Sequence, residues 1–172
     1  MNRVSEINLE DLKKDIPEIF KKVKKDVKKV VNRHREGLSL SIAEMGMFHY
    51  GFIGGMHFHP GTEILMNKTP LKLILETQPS EIVWAYTYHV LLNMYLSSLG
   101  ILNEKLRHDL TLKISKTVFK EESHPAVILA RKGIEAYLPD LKVVYIPLEQ
   151  KPEGSTIEYI YYDHYKDSEY YT

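Results

Sequence analysis

Trp84-Ala-Tyr-Thr-Tyr-His89-Val-Leu-Leu-Asn93-Met-Tyr-Leu-Ser97-Ser-Leu-Gly100-Ile-Leu-Asn103-Glu104 is the stretch on which the fold turns. Its apolar density is that of a core element, and Gly100 is a helix stop, so it predicts a long central helix over about 80–99. Thr77 or Gln78 is expected to cap that helix, with Pro79 in its first turn. Within it Glu81, Ala85, His89, Asn93 and Ser97 recur every four residues, and Gly100 lies close to the same line. A polar or small stripe on an apolar rod faces water, a hydrogen-bond network or a site, because buried polar groups without partners are costly.

Upstream the period changes. Leu38, Leu40 and Ile42 alternate with Ser39, Ser41 and Ala43, the pattern of a half-buried strand. Residues 45–55, rich in Gly, Met and aromatics, read as irregular or bulged. Residues 56–59, a turn at Pro60-Gly61, residues 63–66, a turn at Asn67-Lys68 and residues 71–75 predict two or three strands joined by short turns. Nearer the N-terminus, Asp15-Ile16-Pro17-Glu18 reads as a capping box with Pro17 in the first turn. It opens a basic helix over about 16–36, with Ile16, Ile19, Phe20, Val23, Val27, Val30 and Val31 as its apolar stripe and Gly37 as its end. Residues 9–14 read as a separate short turn capped by Asn8.

Downstream, a helix is expected over about 103–119, and another from Ser123 to about Tyr137, ended by Pro139. Residues 143–146 and 157–162 read as strands around a loop at 147–155, and the acidic, Tyr-rich tail at about 164–172 as loose. The sum is an α+β fold: one domain over 1–172, with a small, mainly antiparallel sheet packed on the central helix and flanking helices around it.

Composition bounds the function. A length of 172 residues suits one core, and a hydrophobic share of 44% is that of a folded chain. The absence of cysteine excludes disulfides, thiolate catalysis and cysteine zinc fingers, and it suits a reducing, cytoplasmic setting. Residues 1–14 are charged and lack the apolar core of a signal peptide, and no apolar run reaches the roughly 18 residues of a membrane span. Abundant Lys, Glu, Ile and Tyr fit a thermophile. Net charge is zero but uneven: Lys and Arg crowd residues 20–35, while acids dominate residues 149–169. A basic head and an acidic tail can pair within one fold or between two copies as a homo-oligomer. The plain reading of the head is a solvated helix face; the sharper one is a nucleic-acid or partner-binding module.

The central stretch resembles the active-site helix of zincin metallopeptidases, whose motif is His-Glu-x-x-His followed by x-x-Gly-x-x-His or Asp. Two histidines one turn apart grip zinc and the Glu activates a zinc-bound water, while the Gly lets the chain turn toward a third ligand. The resemblance covers about 53–104 and lies in the frame. Asn93 and Ser97 stand at the two ligand positions, Met94 at the base, Gly100 at the glycine and Asn103 at the third ligand. Neutral amides and hydroxyls are poor zinc ligands, and a thioether takes no proton from water. The resemblance therefore implies a zincin-like fold without catalytic residues or a resident cofactor. It also implies a retained groove at His89, Asn93, Met94, Ser97, Gly100 and Asn103 that takes a peptide or protein partner.

Two other readings stand beside it. His57 and His59 share one face of a strand and His89 lies on the polar stripe, so a metal-dependent hydrolase holding zinc through these three is the alternative. The bland reading makes them hydrogen-bonded residues at a sheet end. His49, His108, His124 and His164 read as surface or capping residues. The late tyrosines offer stacking surfaces for bases, although alternating strand placement explains them as well.

Overall fold

The computed structural model describes residues 7–46, 54–134 and 157–162. Its elements are α1 (Leu9–Val31), β1 (Ser39–Ala43), β2 (Gly55–His57), β3 (Glu63–Asn67), α2 (Lys68–Thr77), α3 (Ser80–Ser98), α4 (Glu104–Phe119), α5 (Pro125–Lys132) and β4 (Glu158–Tyr162). The four strands form one sheet in the order β2-β3-β1-β4.

That sheet is mixed, which corrects the expectation of a mainly antiparallel one. β2 and β3 form the antiparallel hairpin around Pro60-Gly61, and β4 runs antiparallel to β1, but β3 lies parallel to β1. The hairpin inserts β3 beside β1 and leaves β2 at the edge. Leu40 pairs with Ile64 and Ile42 with Met66, and all four are buried against the helices. β1 is also buried on its serine face, not half-buried, because it lies between β3 and β4; Ser41 Oγ donates to Glu63 Oε1 at 3.3 Å.

α1 starts earlier than the sequence pattern suggests. Asn8 accepts from the Asp11 N–H and Asp11 reaches back to the Asn8 N–H, a complete capping box. The helix then runs through Pro17, whose interior placement costs about 3 kcal/mol. Burial of Leu12 together with Ile16, Ile19, Phe20, Val23 and Val27 offsets that cost, at about 1.5–3 kcal/mol for each large side chain. α1 ends at Asn32, which takes the left-handed conformation (φ 57°), five residues before Gly37.

Residues 71–75 are helical, a second correction. Leu71, Ile74 and Leu75 occupy one buried face of α2, a pattern that five residues cannot distinguish from strand alternation. The deciding signal is Asn67, whose side chain accepts from the Thr69 N–H at 3.0 Å. Fully buried, it also accepts from Met45 N and donates to Gly46 O, tying β1 to the start of α2. The hairpin is therefore separated from α3 by a helix.

α3 runs as expected, with Pro79 at its N-cap in place of Thr77 or Gln78. α4 is capped by Asn103, and α5 by His124 in place of Ser123. The expected stop of that last helix at Pro139, the strand at 143–146, the loop at 147–155, the tail at 164–172 and most of the glycine-rich stretch (47–53) lie outside the described residues, as do His49 and His164. Among the described residues, no helix is long and apolar enough to cross a membrane.

Candidate functional site

α3 meets β2 on one side and α4 on the other, and the polar residues of its C-terminal half divide between these two neighbours. The β2 contact is close. A Cβ at Gly54 would stand 2.8 Å from Val90 Cγ2, and one at Gly55 would stand 3.0 Å from the Leu65 carbonyl and 3.3 Å from Met94 Cγ. Met94, at the base position of the motif, thus packs on the edge strand.

The three ligand positions of the frame have three separate partners. Asn93 Oδ1 accepts from Arg107 Nε of α4 at 3.1 Å. Ser97 Oγ lies 3.3 Å from His57 Nδ1 of β2. Asn103 Oδ1 caps α4 through the Leu106 N–H at 2.9 Å. Asn93 and Ser97 are one turn apart, yet one serves α4 and the other β2.

The His57–Ser97 contact has a defined polarity. His57 Nε2 faces the Gly61 carbonyl at 2.8 Å, so it carries the proton, and Nδ1 accepts from the Ser97 hydroxyl. Burial pushes the His57 pKa down, with Arg35 and His59 adding to the effect, which favours this neutral form. A hydroxyl held against an imidazole is the first requirement of a serine nucleophile. Ser97 is only 8% exposed, however, and here it ties the edge strand to the helix.

Gly100 has a structural duty as well. It takes φ +88°, its N–H bonds to Ser97 O, and the Ile101 N–H bonds to Leu96 O, which together make a Schellman ending. The two carbonyls left over are taken by arginines from the loop after α1. Arg35 Nη1 donates to Ser98 O at 2.6 Å, and Arg33 donates to Leu99 O. Arg35 Nη2 also reaches Pro60 O at 2.8 Å and so joins the hairpin turn to the helix end. Sequence reading missed both roles, since each partner lies more than sixty residues away; runs of basic residues carry no such signal.

The histidines divide. His57 and His59 are neighbours, with ring centroids 6.4 Å apart, and His59 sits beside Gly100. His89 lies eight residues before Ser97, about 12 Å along the axis, and its neighbouring imidazole is His108 of α4. Its Nδ1 is sealed from solvent without a hydrogen-bond partner among the described residues, and burial depresses its pKa to about 4. Among the described residues, no group of three His, Cys, Asp or Glu side chains is placed to hold a metal ion.

Much of the basic head is committed. Lys22 pairs with the buried Asp26 at 3.1 Å, which also accepts from Tyr88 Oη at 2.7 Å, and Lys24 pairs with Glu36 at 3.4 Å. Among the described residues, the acidic C-terminal stretch reaches α1 at Lys13, before the basic head, through Glu158 at 2.7 Å. On β4, Tyr161 packs edge-on to Phe20, while Tyr159 and Tyr162 face outward.

Comparison with known proteins returned no matching family model, no matching curated protein and no matching solved structure.

Proposed function

We propose that this chain is a non-catalytic relative of zinc peptidases that binds an extended peptide or protein segment as an added strand on the edge of β2. The observation that carries the reading is β2 itself, the outermost described strand on its side of the sheet, buried at Gly55 and partly exposed at Met56 and His57. Asn67 N donates to Gly54 O, and bonds alternate along an antiparallel pair, so Met56 turns its backbone groups to β3 while Gly55 and His57 turn theirs outward. Those outward groups have no partner among the described residues. Unpaired strand edges recruit extended segments through main-chain hydrogen bonds.

The surroundings support the same reading. Beneath the edge, Met94 and Ser97 hold β2 and Asn93 holds α4, so these motif positions are committed to the fold. On the other face of the strand, Met56, Phe58, Leu65 and Ile157 wall a cavity of about 360 Å³, where alternate side chains of an added strand would point. Phe58 is 73% exposed there.

Selection of binders from a displayed library of random heptapeptides, followed by an N-methyl scan of the best one, tests this reading. Binding that is lost on methylation of alternate backbone nitrogens, with the peptide recovered intact, is expected. Binding indifferent to N-methylation overturns strand addition. Cleavage of the peptide with stoichiometric zinc bound through His57 and His59 replaces this reading with the hydrolase one.

A further inference from the structure

The N-terminal half of α3 forms one wall of a separate cleft of about 640 Å³, closed on its other sides by the starts of α1 and α5. Ile7, Leu12 and Ile19 give it apolar walls, Trp84 gives it an aromatic one, and Asp15 and Glu81 stand on its exposed side. The volume is that of a small-molecule site. Trp84 is held in place: it stacks on Tyr88 at 5.3 Å and meets Phe119 edge-on at 5.8 Å.

The charges are one-sided. Neither Asp15 nor Glu81 has a cationic partner among the described residues. Two basic groups on the α5 side are neutralised. Lys22 is paired with Asp26, and His124, whose Nδ1 accepts the Ala126 N–H, has its pKa lowered first by burial. An apolar pocket with an aromatic wall and, among the described residues, two carboxylates without a cationic partner at its mouth favours one ligand charge, because carboxylates and aromatic rings both attract cations.

We infer that this cleft binds an organic cation, a protonated amine carried on an apolar body. The body lies against Ile7, Leu12 and Ile19, and the ammonium sits between Trp84 and the carboxylates of Asp15 and Glu81. This site is distinct from the β2 edge, and neither reading depends on the other.

Trp84 is the chain's single tryptophan, so its emission reports on this cleft alone. Titration of the whole protein with phenethylamine, phenethyl alcohol and phenylacetate compares one body with three charges. The amine is expected to change Trp84 emission saturably and to bind at least tenfold tighter than the alcohol, with phenylacetate weakest. Glu81→Gln and Asp15→Asn, both at exposed positions, should each weaken the amine three- to tenfold and leave the alcohol unchanged. Methyl shifts of Ile19 on adding the amine give a second, independent readout. Equal affinity for amine and alcohol overturns the inference. So does the absence of any saturable change in either readout at millimolar amine.

Discussion

The two ends of α3 are built in opposite ways. At the C-terminal end the polar groups are bound into the fold: Asn93 to α4, Ser97 to β2, and the last carbonyls to Gly100, Ile101, Arg33 and Arg35. At the N-terminal end Glu81 has no partner among the described residues, and Trp84 faces a cleft. The end that carries the motif-like frame is the one the fold consumes. The end without a motif keeps free chemistry. Substitutions at the first should therefore cost stability, and substitutions at the second should cost ligand binding alone.

The largest effect expected is that of pH. His89 is held neutral, with its pKa depressed to about 4 against an ordinary 6.5. As pH falls below 6.5 the unfolded chain takes up a proton that the folded chain refuses, so stability drops until pH reaches about 4. The loss over that interval is roughly 3 kcal/mol from His89. Carboxylates such as Glu44, whose pKa Lys72 holds down, add loss in the same direction. Urea unfolding of wild type and His89→Leu across that range isolates the histidine: the variant should show the shallower slope.

Arg35→Ala comes next, at about 2 kcal/mol, since it uncaps Ser98 O and releases Pro60 O. Arg35→Lys should recover less than half, because one ammonium cannot span both carbonyls. Gly100→Ala is expected to cost about 1–2 kcal/mol for the left-handed backbone alone, as its Cβ would make only an ordinary contact with His59. Asn93→Ala should cost about 1 kcal/mol by removing the acceptor of Arg107 Nε. Against these, Glu81→Gln should change the unfolding free energy by less than about 0.5 kcal/mol. A Glu81→Gln variant as unstable as Asn93→Ala would break the contrast between the two ends.

How much of this was legible follows the same division. α3, the extent of α4 and β4 were readable, α3 from its apolar length and the Gly100 stop and β4 from its run of aromatic and β-branched residues, whereas the caps of α3 and α4 were not. α2 was not, because Leu71, Leu73, Ile74 and Leu75 satisfy both periods and only the cap at Asn67 separates them. Pro17 misplaced the start of α1, since tertiary burial of Leu12 outweighs a proline's local preference. The four-residue stripe marked residues that meet neighbouring elements, but spacing could not reveal that Asn93 and Ser97 serve different neighbours. The arginine caps and the Trp84 cleft join segments far apart in sequence, and no short pattern records them.

The central claim is that the β2 edge binds an extended segment without hydrolysing it. Amide hydrogen exchange at Gly55 and His57, measured without and with a saturating library-selected peptide, tests it most directly. Both amides should slow at least tenfold when the peptide is bound, Met56 should change little, and the peptide should be recovered whole. Unchanged exchange at Gly55 and His57 under saturation, or a cleaved peptide, would contradict the account.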